Sequence, residues 1–529
     1  MTESTLDTSW SQKLPNNELL RAPQVEQETC LCDLSSMAPT VIYVKNRTFI
    51  EEYKGDKGHF FNNSSTVILR ETRGLMDNNL INKYNTPGPR YTSYPAVPHW
   101  DNEKISSETW IQSIIRNYNA FGQKEISIYI HLPYCESLCT FCGCHKRITK
   151  NHGVEQPYID ALINEWKLYL THLPFTPIVK EMHFGGGTPT FFHVDELMRL
   201  SRAILGPNGR DPLETELSFE AHPNNTTSEH LKGLYDIGFR RLSFGIQDYS
   251  PVVQKAIHRI QEVEVVQKVH NEARSIGFTS ISHDLVFGLP KQKPEDIIAT
   301  VEKTLELKPD RIALYSYAHV PWIKGNGQRG FDESDLPTGK EKRFLYELAK
   351  SELEKAGYIE IGMDHFALAT DNIAKAFIEK RLHRNFMGYT TQETTLLIGL
   401  GMSAISDSWF AFAQNDKTVE GYLDQINKNN LSVFKGHLLT ETDELIRRYI
   451  LDLMCHFETK LKTDPTLELM HQAIIERLQP LIDDKLVEVN ANTIKMTTLG
   501  IPFVRNACMA FDQYLAASTQ RERMFSQTI

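Results

Sequence analysis

From about residue 120 onward, short runs typical of strands alternate with longer amphipathic stretches. Helical stretches lie between the strand patterns, for example Tyr158 to Leu170 and the segment PEDIIATVEKTLEL. Such alternation predicts βαβ units and a parallel sheet. Six units in about 200 residues favour a full or partial β/α barrel, with an open doubly wound sheet as the alternative. The six predicted strands are EISIYIHL, IVKEMHF, ELSFEAHP, FRRLSFGIQD, FTSISHDLVFGLP and DRIALYSYAHVP.

After about residue 365 this rhythm stops, and helical patterns such as TDELIRRYILDLMCHF and PTLELMHQAIIERLQPLI dominate. Near the end, KLVEV and TIKMT predict a small hairpin. The first residues, rich in Ser, Asn and Thr, show no comparable pattern and are interpreted as a disordered extension. We therefore predict an extension at 1–75, a β/α barrel domain with an N-terminal arm at 76–365, and a mostly helical domain at 366–529.

Composition narrows the class of protein. Apolar residues make up 41% of the 529 residues, and no apolar run approaches the roughly eighteen residues of a membrane helix. The N-terminus MTESTLDTSW has neither the basic region nor the apolar core of a secretory signal. A net charge of −10 argues against general binding to nucleic acid. A cytoplasmic protein without a membrane or nucleic-acid partner is expected.

Four of the eight cysteines fall in the segment YIHLPYCESLCTFCGC, directly after the first predicted strand. Cys135, Cys139 and Cys142 form a C-x3-C-x2-C pattern that can ligate three irons of a cubane, leaving the fourth iron open. A structural zinc site would need all four cysteines, but Cys142 and Cys144 flank a single glycine. A ferredoxin-like carrier would need a fourth ligand and no barrel. Buried, inert cysteines are a further alternative.

Polar residues and glycines follow the other predicted strands. The run Gly185 to Pro189 allows a ligand to approach the backbone, although it is also compatible with a plain tight turn. Glu220, Gln247 and Asp284 lie near the carboxyl ends of three strands, where β/α barrels bind ligands. Each one alone is compatible with a helix cap or a salt bridge. His131 is compatible with a core position, and Arg259 by itself with a solvated helix surface.

The loop C-x3-C-x-F-C resembles that of the radical S-adenosylmethionine enzymes. Further segments resemble the oxygen-independent coproporphyrinogen III oxidases, from about residue 80 to the C-terminus. These segments are PRYTSYP at 89–95, YIHLPYCESLCTFCGC at 129–144, HFGGGTPT at 183–190, RLSFGIQD at 241–248, DLVFGLPKQ at 284–292, GMDHFA at 362–367, HRNFMGYTTQ at 383–392 and GMSAIS at 401–406. The implied fold is a partial (β/α)6 radical S-adenosylmethionine barrel with a mostly helical C-terminal domain that covers the substrate.

The resemblance implies two S-adenosylmethionine molecules per chain beside a [4Fe–4S] cluster held by Cys135, Cys139 and Cys142. The molecule on the cluster would be faced by Tyr129, Gly186, Glu220 and Ile405. The second would be faced by Phe141, Gly187, Thr188, Gln247, Arg259, Asp284 and Ala318, with Cys144 near it or near the substrate. The candidate catalytic residues are Tyr129, His131, Cys144, Arg384 and Tyr389. Arg384 suits bidentate binding of a substrate carboxylate, although its segment is also compatible with a structural interdomain loop.

The implied activity is that of a coproporphyrinogen dehydrogenase in haem biosynthesis. The reduced cluster would cleave S-adenosylmethionine to a 5′-deoxyadenosyl radical, which takes a hydrogen from the β-carbon of a propionate. Loss of CO2 and one electron leaves a vinyl group, and two such events convert coproporphyrinogen III to protoporphyrinogen IX. A low-potential donor such as flavodoxin or ferredoxin and a monomeric enzyme are expected.

Two alternative functions remain open. One is a haem-binding or haem-delivery relative without oxidase activity, although Cys144 and the segment HRNFMGYTT argue against it. The other is a radical enzyme that methylates a tetrapyrrole and opens its ring. A product mass spectrum would separate these three activities.

Overall fold

The structure is a computed structural model that describes residues 78–528 except 102, 208, 210–213, 322–326, 329 and 519–524. The predicted extension at 1–75, with Cys30 and Cys32, lies outside the described residues. Within the described part of the chain, the main sheet has twelve strands. Numbered β1 to β12 along the chain, they are Glu125–Leu132, Ile178–Gly186, Glu216–Ala221, Arg241–Gln247, Ser280–Phe287, Arg311–Ser316, Tyr358–Gly362, His365–Leu368, Leu397–Leu400, Ile405–Asp407, Ala411–Asn415 and Val433–Leu438.

Strands β1 to β6 correspond to the six predicted strands and confirm the β/α rhythm. They pair in parallel and in chain order. The outermost strands of the sheet, β12 and β7, do not pair with each other, so the barrel is partial, as expected. The helices that connect β1 to β6 are Glu155–His172, Val194–Leu205, Ser228–Ile237, Pro251–Ala256, Val263–Ile276 and Pro294–Leu307.

The two faces of the barrel strands differ in polarity. In β1, Ile128 and Ile130 are fully buried in the core cluster beneath the helices. The alternate positions carry Ser127, Tyr129 and His131, which point to the opposite face. Ser127 donates a hydrogen bond of 2.9 Å to Glu181 of β2. A polar barrel interior is therefore built into the period-two pattern, and such an interior can accept a polar ligand.

The region after residue 365 differs from the predicted run of helices. Strand β9 pairs in parallel with β1, and β10 to β12 extend the same sheet in antiparallel fashion. All four residues of β9 are buried, so the strand has no alternation that a sequence pattern could reveal. Helices dominate only from Glu441 onward. The domain division at residue 365 stays a prediction. Strands on both sides of this residue belong to the same sheet.

The C-terminal part packs around a second core cluster. The predicted hairpin is confirmed, since Val487–Asn490 pairs with Thr493–Met496, and Glu458–Lys460 completes a three-stranded sheet. No helix among the described residues has the length and apolarity that a membrane crossing requires. The remaining helices are Asn78–Tyr84, Ser107–Phe121, Gly339–Lys355, Asn372–Ile378, Val419–Asn427, Glu441–His456, Glu468–Asp483, Val504–Phe511 and Gln513–Ala517.

Candidate active site

A cavity of about 400 Å³ lies at the carboxyl ends of β1 to β5. This is the end of a β/α barrel where ligands bind. The structure brings most of the predicted site residues together there. The predicted residues that line the cavity are Cys135, Cys139, Phe141, Cys142, Cys144, Gly186, Gly187, Thr188, Glu220, Gln247, Arg259 and Asp284.

The cysteine loop is fastened where it leaves and rejoins the barrel. Tyr134–Cys135 forms a short parallel ribbon with Arg147–Ile148. The amide of Arg147 donates to the carbonyl of Pro133 at 2.8 Å, and the amide of Thr149 donates to the carbonyl of Cys135 at 2.9 Å. The four thiols are thus presented by a loop with fixed ends.

Polar groups from two other loops reach the sulfur atoms. The Thr188 hydroxyl donates to Cys135 Sγ at 3.3 Å, and Arg259 Nη1 lies 3.7 Å from Cys139 Sγ. Burial raises the pKa of the Cys135 thiol to about 11. Without a metal this thiol is therefore protonated at neutral pH, and metal binding would release the proton.

The donor set fits a [4Fe–4S] cluster better than a single metal ion. Among the described residues, no three His, Cys, Asp or Glu side chains converge closely enough to hold one ion. A cubane takes one thiolate per iron, so its ligands surround a cluster and do not meet at a point. Three thiols along one cavity wall, with hydrogen-bond donors beside two of them, satisfy this requirement.

The glycine run at the end of β2 is required by close packing. Gly186 has a φ of 110°, and a Cβ atom there would lie 2.6 Å from the His131 ring. A Cβ atom on Gly187 would lie 2.6 Å from the carbonyl carbon of Pro133. The run therefore keeps the β2 backbone against the start of the cysteine loop, where its amides border the cavity. The amide of Gly186 donates to Glu220 at 3.2 Å.

Arg259 does not lie on a solvated helix, contrary to the interpretation from its local sequence. The helix Pro251–Ala256 ends before it, and His258 adopts a φ of 52° that turns the chain. The turned loop directs the guanidinium into the cavity, where Nη2 donates to the carbonyl of Gly245 at 2.5 Å. The helical pattern missed this turn because AIHRIQ contains neither glycine nor proline.

Asp284 on β5 and Glu220 on β3 bring two carboxyl groups into the lining of the cavity. Burial, followed by the nearby Glu220 carboxylate, raises the pKa of Asp284 to about 7. Gln247 is buried at the end of β4 with a φ of 70°, an unusual conformation for a residue other than glycine. The cavity thus combines two carboxyl groups and an amide from the ends of β3, β5 and β4 with an arginine from the loop after the helix Pro251–Ala256.

Tyr129 and His131 do not line the cavity but lie directly behind its wall. His131 Nε2 donates to the carbonyl of His145 at 2.8 Å, and Nδ1 accepts from the Tyr129 hydroxyl at 3.1 Å. Burial lowers the pKa of His131 to about 4, so the ring is neutral. Both ring nitrogens are engaged, so the side chain of His131 ties β1 to the cysteine loop.

Ala318 and Ile405 are also outside the lining of the cavity. Ile405 packs against a small aromatic cluster that contains Trp100 and Phe412. Ala318 is connected to the site through Gln328, whose amide nitrogen donates to the carbonyls of Ala318 and Phe141 at 3.0 and 2.9 Å. Sequence reasoning missed Gln328, because a buried glutamine in a loop has no distinctive spacing.

Arg384 and Tyr389 face each other across a short antiparallel ribbon, His383–Asn385 with Gly388–Thr390. The Arg384 guanidinium lies 4.5 Å from the centre of the Tyr389 ring, and both side chains are buried. The Tyr389 hydroxyl donates to the carbonyl of Met454 at 2.9 Å. Neither Arg384 nor Tyr389 lines the thiol-lined cavity.

Several lining residues were not predicted. Ser243 lies two residues before Gly245 on the same face of β4, so the strand period could have indicated it. Loop residues carried no such signal. The further lining residues include Lys146, His222, Asn224 and His258.

The thiol-lined cavity at the carboxyl ends of a partial β/α barrel places the protein in the class of radical S-adenosylmethionine enzymes. In agreement, the family model of the Radical SAM superfamily matches residues 129–304. The chain is 38% identical over 455 residues to the oxygen-independent coproporphyrinogen III oxidase of Escherichia coli, covering 85% of this chain and 98% of that protein. The enzyme of the same name from Helicobacter pylori is 37% identical over 456 residues, again with coverage of 85% and 98%. The solved structure of coproporphyrinogen III oxidase from Escherichia coli superposes with a TM-score of 0.76 at 35% identity, covering 83% of this chain and 99% of that one. The chain belongs to the family of oxygen-independent coproporphyrinogen III oxidases.

Proposed function

We propose that the protein catalyses the anaerobic oxidative decarboxylation of two propionate side chains of coproporphyrinogen III, giving the two vinyl groups of protoporphyrinogen IX. The observation that carries this proposal is the convergence of three loop thiols, a glycine run and polar strand ends on one cavity. The similarity to the Escherichia coli enzyme extends over nearly the whole of that enzyme, beyond the barrel. Haem delivery without oxidase activity gains no support from the relatives, which are named as oxidases.

Cys135, Cys139 and Cys142 would hold a [4Fe–4S] cluster. When bound, the reduced cluster would supply the electron for cleavage of S-adenosylmethionine, the chemistry that allows a hydrogen to be taken from the β-carbon of a propionate. Thr188 and Arg259 would donate to the ligand sulfurs, as their contacts to Cys135 and Cys139 indicate. His131 would keep the loop in register with β1.

Two S-adenosylmethionine molecules would bind side by side in the cavity. Glu220 suits the ammonium group of the molecule on the cluster, and Asp284 and Gln247 suit hydroxyl or amine groups of the second. The remaining assignments follow the resemblance: Tyr129, Gly186 and Ile405 for the first molecule, and Phe141, Gly187, Thr188, Arg259 and Ala318 for the second.

Cys144, Arg384 and Tyr389 complete the proposed catalytic set with Tyr129 and His131. Cys144 is the most exposed of the loop cysteines, and it remains free when three others hold the cluster. Arg384 would bind a substrate carboxylate with Tyr389 stacked against it. We further propose a monomeric, cytoplasmic enzyme that takes electrons from a low-potential carrier such as flavodoxin or ferredoxin.

The test is anaerobic reconstitution of the cluster followed by assay with coproporphyrinogen III and S-adenosylmethionine. We expect four irons and two bound S-adenosylmethionine molecules per chain, and a product that carries two vinyl groups in place of two propionates. The reaction without S-adenosylmethionine is the control and should give no product. A methylated or ring-opened product, or a bound but unchanged tetrapyrrole, would overturn the proposal in favour of another activity.

A further inference from the structure

A second cavity, of about 60 Å³, lies beside a group of buried charged residues at the junction of the barrel and the C-terminal part. We call Arg90, Arg384 and Arg505, which surround Asp364, the arginine cluster. Arg90 forms an ion pair with Asp364, and the positive charges of all three arginines act on that carboxylate. Arg90, Arg505 and Asp364 line the cavity directly. The cavity has room for a small polar group such as a carboxylate.

The arginine cluster has more positive than negative charge. Arg90 is balanced by Asp364, but among the residues that the structure describes neither Arg384 nor Arg505 forms an ion pair. The neighbouring cations do not change this balance, because Arg343 pairs with Glu347 and Lys350 with Glu360. Within the described part of the chain, two buried positive charges therefore have no counterion, an arrangement that is costly unless an anion binds.

Arg505 and Arg384 differ in what their donors contact. Arg505 donates to main-chain carbonyls, among them those of Gly88, Pro89 and Thr528, so its guanidinium is used to fix the N-terminal arm. Arg384 has one long contact, 3.5 Å from Nη2 to the carbonyl of Arg90, and its buried Nε has no partner in the described chain. Arg384 is therefore the arginine of the cluster whose hydrogen-bond donors are not all used, although only 4% of its surface is exposed.

A row of aromatic side chains connects the arginine cluster with the thiol-lined cavity. Tyr315 lies on β6 two residues after Ala313, which pairs with Asp284 of the thiol-lined cavity on one side and with His365 of β8 on the other. The ring of His365 lies 5.8 Å from that of Tyr315 and 5.5 Å from that of Tyr389, which stacks on Arg384. This row lies on the face of β5 and β6 that carries Asp284, and it leads from the thiol-lined cavity to Arg384.

Resting on the proposed function, we propose that Arg384 and Arg90 bind a propionate that the reaction retains. Two of the four propionates lose CO2, and the other two remain in substrate, intermediate and product. An arginine ion pair stabilises a carboxylate and so opposes loss of CO2, in which that negative charge disappears. A strongly cationic pocket away from the thiols therefore suits a propionate that keeps its carboxylate.

The test compares equilibrium binding of two stable porphyrins to the reconstituted enzyme by fluorescence quenching. Coproporphyrin III carries four carboxylates and protoporphyrin IX carries only the two retained ones. We expect Arg384→Met to raise the Kd of both porphyrins by a similar factor, roughly tenfold to a hundredfold, with iron content and S-adenosylmethionine binding unchanged. Arg384→Lys, which keeps the charge, should recover part of the affinity. Arg116→Met, which removes an exposed arginine paired with Glu444, is the matched control and should change neither Kd.

A loss confined to coproporphyrin III would overturn the proposal, because the arginines would then bind a reacting propionate. Unchanged affinity for both porphyrins would also overturn it and assign the arginine cluster a purely structural role. If Arg384→Met does not fold, Arg90→Lys, which keeps the positive charge that pairs with Asp364 but loses the guanidinium donors, decides in the same way. Failure of the proposed function is a separate result, namely no conversion of coproporphyrinogen III by the wild-type enzyme.

Discussion

Arg259 places its Nη1 atom 3.7 Å from the Sγ atom of Cys139, although 120 residues separate the two in sequence. The same guanidinium is anchored through Nη2 to the carbonyl of Gly245 on β4. A positive donor beside a ligand sulfur stabilises the more negative, reduced form of an iron–sulfur cluster. Arg259 should therefore set the reduction potential as well as contribute to binding of the second S-adenosylmethionine.

We expect Arg259→Met to lower the cluster reduction potential by about 60 mV, which for one electron corresponds to about 1.4 kcal/mol. The measurement is a redox titration followed by electron paramagnetic resonance, with iron content as a check that the cluster is retained. Arg259→Lys keeps a positive charge and should shift the potential less. An unchanged potential in Arg259→Met would show that the contact does not reach the cluster.

The loop cysteines should divide into three ligands and one free thiol. Cys139→Ser should lose the iron–sulfur absorbance, since a ligand thiolate is removed. Cys144→Ser should retain the cluster after reconstitution but lower turnover, because Cys144 is exposed and free when the other three bind iron. Iron analysis and the visible spectrum distinguish the two outcomes. Loss of iron from Cys144→Ser would mean that the assignment of three ligands is wrong.

A strand can be predicted from the sequence when one of its faces carries apolar residues and the other carries polar ones. In β1, fully buried isoleucines alternate with Ser127, Tyr129 and His131, and the predicted strand coincides with the observed one. Strand β9, with the sequence LIGL, has no polar residue on either face, and β10 has only three residues, so neither strand produces an alternation of apolar and polar residues. The strands beyond residue 365 thus depend on tertiary packing that a local pattern does not contain.

The residues of the site also differ in whether the sequence could predict them. Residues on strand ends, such as Glu220 and Asp284, could be predicted because parallel strands bring their carboxyl ends together. Gln328 bridges two loops and has no such positional rule. Arg384 is predicted from its chemistry and from the segment HRNFMGYTTQ, and only the fold shows that it lies beside Arg90, outside the lining of the thiol-lined cavity.

A side chain at Gly187 should disrupt the site. A Cβ atom there would lie 2.6 Å from the Pro133 carbonyl carbon and 2.9 Å from the Leu132 carbonyl oxygen, and a main chain cannot move aside as a flexible side chain can. We expect Gly187→Ala to lower the affinity for S-adenosylmethionine at least tenfold, measured by equilibrium dialysis. Gly143→Ala is the matched control in the cysteine loop, because its Cβ would have no atom within 4 Å. Equal behaviour of the two variants would contradict the packing argument.

Asp284 couples the site to the pH dependence of stability. Its pKa rises from 3.8 to about 7 on folding, because burial and the nearby Glu220 disfavour the charged form. Between about pH 4 and pH 7 the folded protein therefore keeps a proton that the unfolded chain has released. Stability then falls as the pH rises through this window, and the cost persists at higher pH.

Asp284→Asn removes the ionisable group and should therefore remove this cost. In the cluster-free protein, we expect the variant to gain in free energy of unfolding relative to wild type as the pH rises from 4 to 7. The gain should reach at most about 4 kcal/mol, since one pKa unit corresponds to about 1.4 kcal/mol. Urea unfolding at pH 5 and pH 8 measures the difference, and Asp236→Asn, at an exposed helix position, controls for the loss of one negative charge.

The Asp284→Asn variant should also bind S-adenosylmethionine more weakly if Asp284 faces the second molecule. A gain in stability without loss of binding would mean that Asp284 is a structural residue that does not face S-adenosylmethionine. A difference in stability that does not depend on pH would show that the pKa of Asp284 is not raised.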